Sequence, residues 1–242
     1  MSFEIFYSEI YDAVHHDKRY DLEAEQISTF IRKKCNAGAR VLDFGCGTGK
    51  HARLLRESGI DISGYDPNVN MIRVAQTKNQ NIPFSHEKSY ISGNFDFVYS
   101  LFDVLSYQIS DLDVVSFLSN VHSMVKSTGW VLLDGWHLPA MENNPPESRA
   151  KLFTYNGVNY IRDVKVIDIN PNGVTSLDIS IKEVGSETIE HNEIHRLRGF
   201  NKNQIIDFIN DVGGHNINFH NGYNYAEPLE DLDWRFAVSF QL

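Results

Sequence analysis

Ala39-Arg40-Val41-Leu42-Asp43-Phe44-Gly45-Cys46-Gly47-Thr48-Gly49 is the stretch with the densest chemical potential in the chain. An apolar run, three glycines at alternate positions and a following amphipathic segment read as strand, tight turn and helix N-terminus. Glycine suits such a turn because the backbone needs positive φ and no Cβ where a ligand lies against it. The spacing departs from the dinucleotide pattern G-x-G-x-x-G, which leaves a helix N-terminus free for a pyrophosphate. Here the third glycine comes one residue early and Lys50 stands where the last glycine would be. Asp43 at the strand end would oppose phosphates and favours a cation. A second apolar strand, Ile60 to Tyr65, ends in Asp66, 23 residues beyond Asp43. An acidic side chain at that place accepts hydrogen bonds from both hydroxyls of a ribose.

A ligand with no phosphate, an ammonium group and a ribose diol meets these demands: S-adenosylmethionine. Over Val41 to Gly49, and again at Asp66, the sequence resembles the class I S-adenosylmethionine-dependent methyltransferases. Those residues match the family's first motif and its second acidic position. The resemblance implies an α/β fold with a seven-stranded, mainly parallel, doubly wound sheet. It implies cofactor contacts from Asp43, Gly45, Cys46, Gly47, Asp66 and Pro67, with Met71 near the adenine, Leu101 and Phe102 after the fourth strand, and Tyr20 from the N-terminal segment. After the third strand, His86-Glu87-Lys88-Ser89 lacks the Asp that many members direct at the adenine amine. Glu87, Ser89 or a backbone carbonyl would have to substitute, and Ser89 is the candidate side chain.

The 242 residues suffice for one large domain or a domain with a sizeable insertion. Hydrophobic residues make up 42% and aromatics 12%, so a packed core is expected. The formal charge is −10, from 32 acidic against 22 basic residues. A polyanion would be repelled at long range, which disfavours nucleic acid as a partner. No apolar stretch is long enough for a bilayer, and Met1-Ser2-Phe3-Glu4 lacks the basic start of a signal peptide, so the expected location is cytoplasmic. Cys35 and Cys46 fit a reduced compartment better than a disulfide framework. No Cys/His spacing resembles a zinc site, and no metal is expected.

Residues 3 to 34 read as helical, with Leu22, Ile27, Phe30 and Ile31 along one face. Before that face lies a polar aromatic patch of Tyr7, Tyr11, His15, His16, Lys18 and Tyr20. His51 to Ser58 makes the next helix, ended by Gly59, and Asp66-Pro67 opens another with Pro67 in its first turn. Strands follow at 82–85 and 95–101. A helix over 111–125 places Leu112, Val115, Leu118 and Val121 inward and leads to a fifth strand over 130–134. Residues 151–200 change character: Asn156-Gly157 and Asn170-Pro171-Asn172-Gly173 are hairpin signals, and the segment reads as an antiparallel β insertion. Asn201 caps a helix through Ile205 and Ile209, and strands at 217–220 and 234–240 finish the sheet. Seven strands lie outside the insertion. The cofactor domain is then 1–138 plus 201–242, with residues 1–34 as an N-terminal helical lid and the insertion over the acceptor site.

Ligands of open α/β sheets bind beyond the carboxyl ends of strands, which places Trp136-His137 for chemistry or acceptor binding. Tyr11-Asp12, Lys18 to Glu23, Trp136-His137-Leu138-Pro139, the insertion and Glu193-x-His195 resemble the N,N-dimethyltransferases of nucleotide-linked amino sugars. That resemblance implies a small-molecule acceptor touched by Tyr11, Tyr107, Trp136 and Glu193, with neither nucleic acid nor membrane as partner; a homodimer is left open. Methyl transfer is an in-line displacement that depends chiefly on positioning. A neutral amine attacks directly, whereas a sugar hydroxyl gains roughly 10²–10⁴-fold from a positioned base. Histidine suits that role at neutral pH, and His195, His137 and His15 are the candidates. Strand alternation puts His195 and Glu193 on one face and Arg198 on the other, so Glu193 is placed to orient the His195 ring. O-methylation of a sugar or another metabolite, and a non-catalytic cofactor-binding module, are the alternative readings.

Overall fold

The computed structural model describes residues 4–90 and 94–242. The first half comprises α1 (Ile5–Val14), α2 (Tyr20–Lys34), β1 (Arg40–Phe44), α3 (Lys50–Glu57), β2 (Asp61–Tyr65), α4 (Val69–Lys78), β3 (Phe84–Ser85), β4 (Phe95–Ser100), α5 (Asp111–Met124) and β5 (Val125–His137). The second half comprises α6 (Leu138–Asn143), β6 (Arg149–Tyr155), β7 (Val158–Ile169), β8 (Val174–Glu183), β9 (His191–Phe200), α7 (Lys202–Asp211), β10 (His215–Asn221), β11 (Asn224–Pro228) and β12 (Arg235–Gln241).

Strands β1 to β5 lie parallel in the order β3-β2-β1-β4-β5. β12 pairs antiparallel with β5, and β10 antiparallel with β12. Side-chain alternation sorts the core into two layers, one on each face. Leu42, Phe44, Val98, Val131 and Leu133 pack with Val114, Phe117, Leu118 and Val121 of α5 and with Ile205 and Ile209 of α7. Val41, Phe97, Tyr99 and Leu132 face the other way, onto Ile27, Phe30 and Ile31 of α2, Leu55 of α3 and Ile72 of α4. This is the doubly wound sheet expected from the sequence.

Between β5 and α7 lies the insertion, in which β6, β7, β8 and β9 form an antiparallel sheet. It begins at Arg149, slightly earlier than expected. Asn156 and Gly157 form its first turn with φ of +48° and +80°, as an Asn-Gly hairpin requires. β4 pairs with β5 up to Ser100 and Leu133, where β4 ends. Beyond that point β9 joins β5 in parallel through Trp136–Gly199 and His137–Phe200, while β12 still holds the opposite edge at Trp136. The insertion therefore grows from the edge that β4 vacates.

Several expectations need correction. The N-terminal helix is two helices, broken over 15–19. Leu22 is exposed, and so is Leu112 at 81%; α5 starts from a Ser110–Asp113 capping box and buries Val114, Phe117, Leu118 and Val121, leaving Val115 outside. Pro67 precedes α4 rather than entering its first turn, because the Asn68 side chain caps that helix by accepting from the Asn70 and Met71 amides. Among the described residues eight strands lie outside the insertion: β11 is the addition, a short ribbon partner of β10.

Candidate active site

A cavity of about 950 Å³ opens where β1 and β4 end, between the glycine turn, α1 and the insertion. That volume is at the upper end of single-ligand pockets, so it suits two molecules side by side. At its floor, the amides of Gly45 and Cys46 donate to the Tyr65 carbonyl at 2.7 and 2.9 Å, which fixes the turn against the end of β2. Gly45 has φ of +92° and a Cβ there would meet Val104 at 2.8 Å, while Gly47, at φ +52°, would project its Cβ into open space. Backbone is thus laid bare to a ligand at Gly47. Asp66 accepts from the Gly47 amide at 2.9 Å and from the Asn68 amide at 2.8 Å, so its carboxylate is preset at the cavity wall. Asp43 is buried, and burial pushes its carboxyl up to about 7. The Tyr99 hydroxyl faces the carboxyl, but Oδ2 has no partner within hydrogen-bond distance among the described residues. A buried, unsatisfied carboxylate oxygen asks for a cationic donor from a ligand.

After β4 the chain makes a strained turn in which Phe102 and Asp103 both adopt positive φ, +68° and +67°. Asp134, from β5, holds it by accepting both amides at 2.9 and 2.8 Å, and Arg235 clamps Asp103 at 2.7 Å. Strain of this kind persists where its surroundings overdetermine it, and here it sets the Phe102 ring into the cavity.

The N-terminal helices close one side. Asp12 accepts from the Thr48 hydroxyl at 2.6 Å and from Lys78 at 2.7 Å, and Glu23 pairs with His51 at 2.7 Å and with Lys18. Lys18 in turn lies over the Phe102 and Tyr20 rings at 4.4 and 4.7 Å. The polar aromatic patch is therefore interior: Tyr7 and Tyr20 are buried and line the cavity with Tyr11 and His15, and His16 alone of the patch is exposed.

Facing the glycine turn is the insertion. The Tyr107 hydroxyl lies 2.8 Å from His195 Nδ1, and His195 Nε2 lies 3.1 Å from Glu193 Oε2. A carboxylate only accepts, so Nε2 is the nitrogen that donates to Glu193, and in that tautomer Nδ1 is left to accept from the phenol. Tyr107, His195 and Glu193 form one oriented chain ending in the cavity.

Residues 15–162 match the family described as "Methyltransferase domain", more than half of the sequence. The chain belongs to this family. A candidate methyltransferase of Geobacillus sp. (strain WCH70) is 25% identical over 239 residues, covering 95% of this chain and 96% of the relative. The dTDP-3-amino-3,6-dideoxy-alpha-D-glucopyranose N,N-dimethyltransferase of Streptomyces fradiae is 26% identical over 144 residues, 57% of this chain and 56% of that one. In fold, this methyltransferase is similar to an S-adenosylmethionine-dependent methyltransferase from Clostridium acetobutylicum, with TM-score 0.77 at 18% identity over 98% and 97% of the two chains. It is also similar to an S-adenosylmethionine-bound amino pentose methyltransferase from Micromonospora echinaspora, with TM-score 0.72 at 16% identity over 100% and 98%.

S-adenosylmethionine is the cofactor, and the residues of this methyltransferase fit it. Asp43 offers an unpaired acceptor, Asp66 a preset one, and Gly47 an approach to backbone. Of the cofactor candidates, Tyr20, Asp43, Gly45, Cys46, Gly47, Asp66, Pro67, Met71, Leu101 and Phe102 all line the cavity. Ser89 does not; it is exposed on a short turn away from the opening. On the acceptor side Tyr11, Tyr107, Trp136, His15 and His195 line it, while Glu193 stands behind His195. His137 faces away: alternation on β5 points Trp136 inward, and the His137 ring is buried with Nδ1 against the Asp233 carbonyl at 3.0 Å. Residues missing from the sequence reading are Tyr7 as a wall, the Asp103–Arg235 clamp, Trp234 at 5.4 Å from Trp136, and Arg162 of β7.

Proposed function

We propose that this methyltransferase N-methylates a small amine, most specifically an amino sugar carried on a nucleotide. The observation that carries the reading is a cavity with room for a second molecule beside the cofactor, walled opposite the glycine turn by Tyr11, Tyr107, Trp136 and His195; the Tyr107–His195–Glu193 chain there can take up the proton that an amine releases after its attack. The sugar-directed names of the Streptomyces and Micromonospora proteins support the choice of acceptor.

When bound, the cofactor supplies an electrophilic methyl group on a sulfonium. Asp43 would receive its ammonium and Asp66 its ribose diol, with Met71 and Pro67 beside the adenine. Tyr11, Trp136 and Tyr7 would wall the acceptor and hold its nitrogen toward that methyl group, and such positioning is where most of the rate gain arises. The amine gives up one proton. It passes to the Tyr107 oxygen as the Tyr107 proton moves to His195 Nδ1, and the resulting imidazolium is held by Glu193. His15 is unsuited to act as the base, because burial, with the positive charges of Arg162, Lys151 and Lys18, pushes it down to about 3. It serves as a wall, edge-on to Phe102 at 5.1 Å.

Mass spectrometry of products from paired acceptors, amino sugars and the matching hydroxy sugars, each free and nucleotide-linked, tests the reading. A methyl on nitrogen is expected. Transfer to the hydroxy sugars alone would replace it with O-methylation.

A further inference from the structure

Register decides which side chains the insertion shows to the cavity. Val164 stands opposite Arg149 and Ile179, Arg162 opposite Lys151 and Ile181, and Leu177 opposite His195. Directly opposed residues share a face, so Arg149, Lys151 and Arg162 form a basic group on the side that carries His195 and Leu197. Lys151 is taken up by Asp17 and by the Val14 carbonyl at 2.8 Å. Arg149 and Arg162 line the cavity, Arg149 at its exposed rim.

Other arginines of this region are neutralised: Arg198 holds Asp111 and Arg235 holds Asp103, each at 2.7 Å. Among the described residues Arg162 has no such carboxylate within ion-pair distance; its Nε, like those of Arg198 and Arg235, is buried without a hydrogen-bond partner. The guanidinium reaches the Tyr7 hydroxyl, a neutral group. At the far end of the same cavity sit the carboxylates Asp43 and Asp66. The cavity thus holds Asp43 and Asp66 toward the glycine turn and the guanidinium groups of Arg162 and Arg149 beneath the insertion, where Glu193 behind His195 and Glu147 at the rim are the nearby carboxylates, in a protein whose net charge is −10. Leaving a partly buried guanidinium unpaired is costly, and the donor fork matches a planar or tetrahedral oxyanion.

We infer that Arg162, with Arg149 at the rim, is an anion subsite, and that the acceptor carries a phosphate or carboxylate group apart from the atom that is methylated. The inference rests on the methyl-transfer reading for the acceptor's identity, but the subsite stands on the arginines alone. An anion fixed there would pin the acceptor at one end and leave its other end to the Tyr107 and Trp136 walls.

Calorimetry with inorganic pyrophosphate and with malonate, on protein loaded with S-adenosylhomocysteine, tests the subsite. One of the two should bind the native protein, at least about 10-fold more weakly in Arg162→Gln, with partial recovery in Arg162→Lys and no change in Arg198→Gln. Preference for pyrophosphate assigns a phosphate group, and preference for malonate assigns a carboxylate. Binding of neither, or equal losses in Arg162→Gln and Arg198→Gln, overturns the subsite. The acceptor panel is run in parallel. Transfer to amines with and without an anionic group at the same KM, unmoved by Arg162→Gln for either, overturns the acceptor's anionic group and leaves N-methylation intact. Anion binding that depends on Arg162, with no methyl transferred to any amine, keeps the subsite and overturns the amine.

Discussion

The Thr48 hydroxyl donates a 2.6 Å hydrogen bond to Asp12 Oδ1, and so joins the N-terminal helix to the glycine turn. Because Asp12 also holds Lys78, one side chain ties α1 to both the turn and α4. An enclosed site has to open somewhere to exchange its ligands. Hydrogen exchange over residues 7–22 should slow on addition of cofactor and speed up in Asp12→Ala. Equal protection with and without cofactor would mean that these helices are a fixed wall.

Asp66→Ala should weaken S-adenosylmethionine binding by about 10-fold or more, since charge-assisted hydrogen bonds contribute about 1.5–3 kcal/mol. Part of that loss reflects the turn itself, because Asp66 also accepts from the Gly47 amide. Calorimetry on Asp66→Asn separates the two, as the amide oxygen keeps an acceptor while losing the charge.

Asp43 predicts a pH dependence of definite sign. Its carboxyl titrates at about 7 in the folded protein against 3.8 ordinarily. The folded state thus holds a proton that the unfolded state has lost. Stability from this group is full below about pH 4 and is lost as pH rises through about 7. Cofactor binding runs the opposite way, because the ammonium prefers the ionised form. Affinity should rise about 10-fold between pH 6 and pH 8 and become flat in Asp43→Asn. A native profile as flat as the variant's would remove Asp43 from the ammonium site.

His195→Ala should lower kcat with cofactor affinity preserved, by less than about 10²-fold on an amine, which attacks without a base, and by roughly 10²–10⁴-fold on a hydroxyl. Tyr107→Phe should do the same, and the double variant should cost little more than either single one, as members of one proton chain do. Additive losses would show two independent roles. Weakened cofactor binding in His195→Ala would misplace the acceptor.

Leu118→Ala should cost about 2–5 kcal/mol in denaturant unfolding, as a buried position on α5. Leu112→Ala should change stability by no more than about 0.5 kcal/mol, since that side chain is 81% exposed.

The cofactor half was legible because its determinants are local. Glycine spacing and two strand-end carboxylates lie within one βαβ unit, and each is readable without knowing what packs beside it. Helix phase was less so: Leu112 and Val115 fit a 3,4 pattern as well as Val114, Leu118 and Val121 do, and the Ser110 cap with tertiary packing decides between them. The half opposite the glycine turn is assembled from α1, the turn after β4 and all four insertion strands, so Arg162 carries no mark in sequence of the cavity it faces. The outward turn of His137 was legible as well. Alternation separates Trp136 from His137 as firmly as it separates His195 from Arg198, and only one of each pair can face the cavity.

His137 and Phe200, the residues where the chain leaves for the insertion and returns from it, are register partners across β5 and β9. Adjacent strands are about 4.8 Å apart, so the whole excursion is closed by two neighbouring register pairs, Trp136–Gly199 and His137–Phe200. Everything between those two residues is interchangeable in principle without altering the span that the rest of the sheet must bridge. Such a joint lets a lineage exchange one acceptor wall for another, or an engineer graft a foreign hairpin pair, while the glycine turn and both carboxylates stay where they are.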